Sequence, residues 1–147
     1  EARTYEAFTV ALWVRADRLG QGQYMSPFSS YTPTGPGFQI DVDGTNPGNY
    51  QTTPGIGIHG PVTLEWVHLA VVCEGTTIHY YYNGTWVTSG TIAPNNLLFN
   101  EFIIGTSRNR GNNFYGAIDD FRFYDLALTQ DEMAWLGGRT TPFDKPF

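Results

Sequence analysis

The chain has almost no cysteine and little basic charge. Cys73 is the only cysteine among 147 residues, so no disulfide can form within the chain. It ends the apolar run "WVHLAVVC", where a buried thiol acting as a small hydrophobic group is expected rather than a reactive one. The chain carries 8 basic and 14 acidic residues, a net charge of −6. This balance offers no basic surface for a phosphate backbone or an anionic membrane, and it argues against a nucleic-acid partner.

Long hydrophobic runs are also missing. No stretch of about 18 apolar residues is present, and the N-terminal residues lack the pattern of a signal peptide. We therefore expect no insertion into a membrane. A length of 147 residues suits one domain with a hydrophobic core of its own.

Aromatic residues and turn formers are abundant instead. Aromatics make up 16% of the chain, which also holds 17 glycines and 9 prolines, and this composition is typical of many short strands joined by tight turns. The segments "AFTVALWVRA" and "EWVHLAVVCEG" are apolar on both faces, which predicts two buried strands. Asn83-Gly84, inside "TIHYYYNGTWVTSG", predicts a tight β-hairpin.

One short helix is predicted near residues 130–136. Thr129 and Glu132 form a capping-box pattern ahead of an apolar run, and Gly137-Gly138 ends it. We therefore predict an all-β fold, a two-sheet antiparallel sandwich with this one C-terminal helix. Its core is expected to include Phe8, Trp13, Trp66, Leu69, Val71, Ile104, Phe121 and Phe123.

The order of these motifs closely resembles the laminin-G-like, concanavalin-A-like jelly-roll family. The resemblance spans residues 8–136 and is most specific in "GAIDDFRFYDLALTQDEMAWL". It implies a jelly-roll domain over residues 1–136, with residues 137–147 as a C-terminal tail or linker. It also implies an extracellular or cell-surface module of a larger multidomain protein. One departure is at the start, where "EARTYE" supplies little of the additional strand that the family usually has.

Asp119 is the acidic residue whose role the sequence leaves open. Strand alternation places it in a row with Phe121 and Phe123, which marks it as core-facing. A carboxylate there needs donors or a cation, so it either accepts backbone N–H bonds or, as in several members of the family, binds calcium. A structural calcium ion is the one cofactor that the resemblance implies. Asp120 is expected to pair with Arg122 on the outer face.

A catalytic site is not apparent from the sequence. In "DVDGTN", Asp41 and Asp43 share a strand face, but no glutamate completes the carboxylate pair of a retaining glycosidase. The histidines His59, His68 and His79 lack metal-ligand spacing, and His68 is expected to be a core residue. We therefore predict that the protein is not an enzyme.

The hairpin predicts a binding surface. A two-residue turn pairs Tyr82 with Thr85, Tyr81 with Trp86, Tyr80 with Val87 and His79 with Thr88. His79, Tyr81 and Trp86 would then point outward, where aromatic rings can stack on a sugar. The alternative is that the two aromatic rings pack on each other across the strands or lie under the loop at residues 19–36.

The loop "SRNRGNNFY" is the polar counterpart of the hairpin. Arg108, Arg110 and Asn112 supply donors for sugar hydroxyls, unless the loop is merely solvated. We expect this loop to lie on the same side of the sandwich as the hairpin. Tyr50, with Tyr24 and Tyr31, is a further candidate ligand because it lies in a long loop that is expected to expose its aromatic residues.

Two functions stay open on these observations. The first is a non-catalytic carbohydrate-binding module that recognises a polysaccharide or glycan through exposed aromatics and a polar loop. The second is a protein-binding adhesion module of an extracellular multidomain protein. The family resemblance favours the first.

Overall fold

A computed structural model describes residues 3–32, 35–45, 47–54 and 57–138. Twelve strands lie in this part of the chain: β1 (Arg3–Thr4), β2 (Ala7–Ala16), β3 (Phe28–Thr32), β4 (Gly35–Val42), β5 (Asn49–Thr53), β6 (Gly57–Pro61), β7 (Val67–Glu74), β8 (Thr77–Tyr82), β9 (Thr85–Thr91), β10 (Leu98–Phe99), β11 (Glu101–Ile104) and β12 (Gly116–Tyr124). A 3-10 turn at Pro94–Leu97 and the helix α1 (Gln130–Gly137) complete the elements. Within the described residues, no helix is long and apolar enough to span a bilayer.

The strands form two five-stranded antiparallel sheets. The first sheet has the order β12-β2-β7-β8-β9, and the second has the order β11-β3-β4-β5-β6. Strands β1 and β10 pair separately as a small third sheet. The predicted antiparallel sandwich with one short C-terminal helix is confirmed.

Strand β2 explains how the sandwich is held together. Phe8, Val10 and Leu12 on one face belong to the main core between the sheets, where they meet residues of β4 such as Phe38. The rings of Phe8 and Phe38 are stacked with centroids 5.5 Å apart. On the opposite face, Ala11 belongs to a second apolar cluster together with residues of α1. The two-sided apolar pattern of β2 thus serves two cores.

The predicted core is right for most residues, Trp13 among them, and wrong for two, Ile104 and Trp66. Phe8, Leu69 and Val71 are buried in the main core, with Phe121 and Phe123 packed against it. Ile104 is 45% exposed because β11 is an edge strand. Trp66 is half-buried, with the Arg15 guanidinium 5.5 Å from its ring centroid. Trp13 is buried, but it alternates with core residues of β2 and lies on the outer face beside His68.

Cys73 and His68 are both buried, as predicted. Cys73 is fully buried, and desolvation raises the pKa of its thiol to about 11. His68 is buried in β7, next to Trp13 with ring centroids 5.3 Å apart. Neither residue offers a reactive group to solvent.

The predicted hairpin turn is confirmed. Asn83 and Gly84 both have positive φ angles, 49° and 76°, which is the geometry of a type I′ turn. The pairs Tyr81–Trp86 and Tyr82–Thr85 form as expected. Beyond them the predicted register is wrong, because a bulge shifts the partners of Tyr80 and His79 by one residue, to Thr88 and Ser89.

Helix α1 begins with the predicted cap. The Thr129 side chain accepts a hydrogen bond from the Glu132 backbone N–H, and the Glu132 carboxylate accepts one from the Thr129 backbone N–H. Met133 and Leu136 are the buried anchors that seat the helix on the outer face of the first sheet. The helix therefore covers part of the face on which the hairpin site was predicted.

Candidate functional site

A β-bulge in β12 reverses the predicted direction of Asp119. Asp119 pairs with Trp13 and Arg122 with Ala11, so two residues oppose Leu12 alone. Asp120, with a positive φ of 48°, supplies the irregular conformation. Ile118 and Phe121 consequently pack against the main core, whereas Asp119 shares the outer face with Trp13. The prediction that Asp119 belongs to the core-facing row is wrong, because one extra residue slips the alternation.

The hydrogen bond that the Asp119 carboxylate accepts comes from the next residue in the chain. Its Oδ1 accepts a hydrogen bond of 2.7 Å from the backbone N–H of Asp120. Asp120 in turn accepts from Arg122 Nε at 2.8 Å, which confirms that predicted pair. No three His, Cys, Asp or Glu side chains converge on a metal-sized site within the described ranges. Calcium at Asp119 stays a prediction with a direct test.

The predicted hairpin residues do line one groove. We call it the hairpin groove; it has a volume of about 420 Å³ on the outer face of the first sheet. Its lining consists of Val72, Glu74, His79, Tyr81, Trp86, Ala127, Leu128, Thr129 and Gln130. The strands β7 to β9 supply the floor and one wall, and the segment leading into α1 supplies the other wall. Gln130 is anchored there by a hydrogen bond of 3.2 Å from its Nε2 to the Gly84 carbonyl oxygen.

The two aromatic residues of this groove have different roles. Trp86 is 51% exposed and forms an open wall. Tyr81 is only 6% exposed, because Met133 and Leu136 of the helix pack in the same apolar cluster. The expected exposed Tyr–Trp pair is therefore half wrong, since Tyr81 forms the floor and Trp86 alone presents its ring to solvent.

Hydrogen bonds hold the exposed tryptophan in position. Trp86 Nε1 donates to Ser89 Oγ at 3.1 Å, and the same hydroxyl lies 2.6 Å from His79 Nδ1. On the other side of the imidazole, His79 Nε2 lies 3.9 Å from Glu74 Oε2. An indole, an imidazole and a carboxylate thus follow one another along the groove.

The predicted polar loop forms a second cleft. We call it the loop cleft; it has a volume of about 260 Å³ and is lined by Tyr24, Gln39, Thr53, Ser107, Arg108, Asn109 and Asn112. Arg108 ties the loop to β4, because its backbone N–H donates to Gln39 Oε1 at 3.1 Å and its Nη1 to the Gly37 carbonyl oxygen at 3.0 Å. The loop is not merely solvated, since it is folded onto the second sheet.

A buried carboxylate lies beneath this cleft. Asp41 is fully buried on the same face of β4 as Gln39, and it accepts hydrogen bonds from Gln39 Nε2 at 2.7 Å and Gln51 Nε2 at 2.8 Å. Desolvation raises the pKa of Asp41, against the lowering effect of these bonds and of the nearby Arg108 charge. This role of Asp41 was not predicted from the sequence, although the Gln-x-Asp alternation in "FQIDVD" indicates it.

The two predicted clusters lie on opposite faces of the sandwich. Phe38 and Ile40 point into the core, so Gln39 and the Arg108 that it holds lie on the outer face of the second sheet. Trp86 lies beside Tyr81 on the outer face of the first sheet. The prediction of one combined site is wrong, because the hairpin and the loop belong to different sheets.

Two other predicted ligand positions differ from expectation, and a third agrees with it. Arg110 forms a 2.6 Å ion pair with Glu101 and does not line the loop cleft. Tyr50 is 0% exposed in the main core, so its expected position on an exposed loop is wrong, and burial raises its pKa. Tyr24 is exposed as expected and lines the loop cleft. The side chain of Tyr31 lies outside the described part of the structure.

Asp41 and Asp43, the acidic pair of "DVDGTN", accept hydrogen bonds that hold the neighbouring segments in place. Asp41 is inaccessible, and Asp43 organises the following loop by accepting hydrogen bonds from Thr45 and Asn49. Partial desolvation acts to raise the pKa of Asp43, but these bonds outweigh it and lower the pKa. The Asp41 carboxylate therefore lacks the open approach that attack on a glycosidic bond requires.

Solved structures of carbohydrate-related proteins share this fold. Domain 4 of AbnA, an extracellular arabinanase from Geobacillus stearothermophilus solved in complex with arabinotriose, has a TM-score of 0.64 and 23% identity over 92% of this chain and 68% of that chain. Trypanosoma rangeli sialidase in complex with sialic acid has a TM-score of 0.70 and 17% identity, covering 89% of this chain and 22% of that chain. The native heptameric SAP-like pentraxin of Limulus polyphemus has a TM-score of 0.63 and 16% identity, over 92% and 72%. At these identities the likeness shows the fold alone.

Sequence comparison gives the family. A search of curated proteins found no significant match. Residues 2–134, however, match the family model described as the concanavalin A-like lectin/glucanases superfamily. The match covers nearly the whole chain and agrees with the two-sheet sandwich. The chain therefore belongs to the concanavalin A-like lectin/glucanases superfamily.

Proposed function

We propose that this domain is a non-catalytic carbohydrate-binding module and that the hairpin groove binds a polysaccharide or glycan. The observation that carries the proposal is the half-exposed Trp86 ring, held by Ser89 next to His79 and Glu74. Because this ring is already fixed, binding a ligand costs little further ordering of the side chain.

The groove supplies the two kinds of contact that a sugar needs. The indole face of Trp86 offers a flat apolar surface for the C–H face of a pyranose or furanose ring. Glu74, His79 and Gln130 line the same groove and can exchange hydrogen bonds with hydroxyl groups. A groove of about 420 Å³ is large enough for a short segment of a sugar chain.

The relatives support carbohydrate as the ligand class. The arabinanase domain and the sialidase named above were each solved with a sugar, and the family takes its name from lectins and glucanases. Because this chain spans 22% of the sialidase chain, a place within a larger extracellular or cell-surface protein is part of the proposal. Any catalytic action on the polysaccharide would belong to other domains of such a protein.

Binding to immobilised polysaccharides, with and without free sugar, tests the function. Affinity electrophoresis through gels that each contain one polysaccharide would show retardation that the matching oligosaccharide reverses. Retention that no free sugar reverses, together with saturable binding to a protein, would instead establish the adhesion function.

A further inference from the structure

We propose that the loop cleft is a second carbohydrate site, one that accepts a single neutral sugar residue, and that one domain thereby holds two glycan segments on opposite faces. The inference rests on the proposed carbohydrate-binding function for the class of ligand. It does not depend on the hairpin groove for its geometry.

The cleft has a built polar wall. Asp41 is fully buried and Gln39 is 2% exposed, and the 2.7 Å bond from Gln39 Nε2 to Asp41 fixes which way the amide points. The Gln39 Oε1 is thereby left to accept the Arg108 backbone N–H. This chain of bonds runs from the sheet to the loop, so the position of Arg108 is set before any ligand arrives.

The loop that closes the cleft is also internally bonded. The Ser107 backbone N–H donates to the Asn112 carbonyl oxygen at 3.1 Å, and the Arg110 backbone N–H donates to the Ser107 carbonyl oxygen at 2.7 Å. The Asn109 side-chain oxygen accepts from the Ser107 hydroxyl and from the Gly111 backbone N–H. A loop held at so many points presents its side chains in one arrangement, which lowers the entropic cost of binding.

The groups that line the cleft suit hydroxyl groups. Arg108, Asn109 and Asn112 offer N–H donors from the loop, and the Thr53 hydroxyl of β5, which bonds Asp41, can accept a hydrogen bond. Tyr24, 40% exposed, adds an aromatic surface at the side. A volume of about 260 Å³ lies just below the usual range for drug-sized ligands, so it fits one sugar ring rather than a chain.

Charge balance points to a neutral ligand. Among the residues that the structure describes, Arg108 is the one cation that lines the cleft, and the buried Asp41 carboxylate interacts with it electrostatically. Arg110, the other cation of the described loop, is engaged by Glu101 at 2.6 Å. A carboxylate or phosphate ligand would therefore meet no unbalanced positive charge.

The topology keeps the two sites apart. Gln39 and Trp86 lie on the outer faces of different sheets, with the main core between them, and packed sheets are about 10 Å apart. One short oligosaccharide cannot reach both sites through the core. A long polysaccharide or two separate chains can, so the domain would bridge glycan strands and gain avidity.

Isothermal titration of the whole chain with maltotriose, xylotriose and trigalacturonate tests the proposal. We expect a neutral trisaccharide to bind at two sites per chain, with trigalacturonate excluded from the loop cleft. Arg108→Ala should remove one site, weakening it about 10- to 150-fold, whereas Arg110→Ala on the same loop should keep both. Trp86→Ala should remove the other site, and a mixture of protein with a long neutral polysaccharide should scatter light only when both sites are intact.

Asn112→Ala is a second variant that keeps the test open if Arg108→Ala disturbs the loop. Amide NMR spectra of each variant would show whether the fold is retained. One site per chain, lost in Trp86→Ala and unchanged in both loop-cleft variants, overturns this inference and leaves the proposed function standing. One site lost in the loop-cleft variants and unchanged in Trp86→Ala overturns both the bridging inference and the hairpin-groove assignment. Preference of the loop cleft for trigalacturonate overturns the neutral-ligand assignment.

Discussion

Gly84 and Gly137 are packed backbone to backbone. A Cβ built on Gly137 would lie 2.2 Å from the Gly84 nitrogen, a separation that no real side chain shows. A Cβ built on Gly84 would lie 2.9 Å from the Met133 carbonyl oxygen. The hairpin turn and the end of α1 therefore fit together only because both residues lack side chains. This contact seats the helix that forms one wall of the hairpin groove.

Replacing Gly84 by Ala should destabilise the fold by about 2–4 kcal/mol. The substitution places a Cβ in a residue with φ of 76° and also forces it against the helix backbone. Gly75 is a matched control, because its φ is also positive, 59°, and nothing lies within 4 Å of its Cβ position. Gly75→Ala should cost only the conformational strain, about 1 kcal/mol. Urea unfolding of both variants checks this; equal losses would show that the helix contact contributes nothing.

Replacing Trp86 by Ala should weaken glycan binding by about five- to 150-fold. The ring is half-exposed, so its removal deletes a contact worth on the order of 1–3 kcal/mol without opening a cavity in the core. Trp135→Ala is the matched control, because Trp135 is 60% exposed on α1 and does not line the groove. Titration with oligosaccharide and a melting curve for each variant separate binding from folding. Full-strength binding by Trp86→Ala would place the glycan elsewhere.

Stability should fall between pH 6.5 and pH 4 because of His59. His59 is fully buried, and desolvation lowers its pKa from 6.5 to about 4. Above pH 6.5 the imidazole is neutral in both states; between pH 6.5 and 4 the unfolded state takes up a proton that the folded state does not. Unfolding should therefore become easier as the pH falls, by up to about 3 kcal/mol.

A variant of His59 isolates this effect. His59 is held by Thr52 Oγ1 at 2.9 Å and by the Tyr81 carbonyl oxygen at 3.0 Å, and His59→Gln can keep partners there. Its stability should be lower at pH 7 but should change less between pH 6.5 and 4.5. Urea denaturation at these pH values gives the free energies, and a slope retained by His59→Gln would assign the effect to other groups.

Calcium binding at Asp119 has a simple thermal test. If the ion is bound, a chelator should lower the melting temperature and added calcium should restore it by mass action. Asp119→Asn should then melt like the chelated protein, with or without calcium. A melting temperature that neither chelator nor calcium changes rejects the metal and leaves Asp119 as the acceptor for the Asp120 backbone N–H.

The elements that the sequence predicted well are those set by near neighbours. The turn at Asn83-Gly84 depends on two residues that tolerate positive φ, and the start of α1 depends on Thr129 and Glu132 bonding each other. The strand β2 follows from apolar alternation over ten consecutive residues. Each of these signals is complete within one short segment, so no knowledge of the fold was needed.

Tertiary structure decided on which face the candidate site residues lie and which residues they contact. The bulge at Asp120 reversed Asp119, because strand alternation slips by a whole face when one residue is inserted. Tyr81 is buried at the bottom of the hairpin groove rather than exposed, because helix α1, about fifty residues later in the chain, packs over it. Arg108 joined Gln39, 69 positions away, on the second sheet rather than Trp86 on the first. The sequence by itself thus determined the elements and the types of residue that they carry, whereas the packing of distant segments decided that these residues lie in two separate places, on opposite faces of the sandwich.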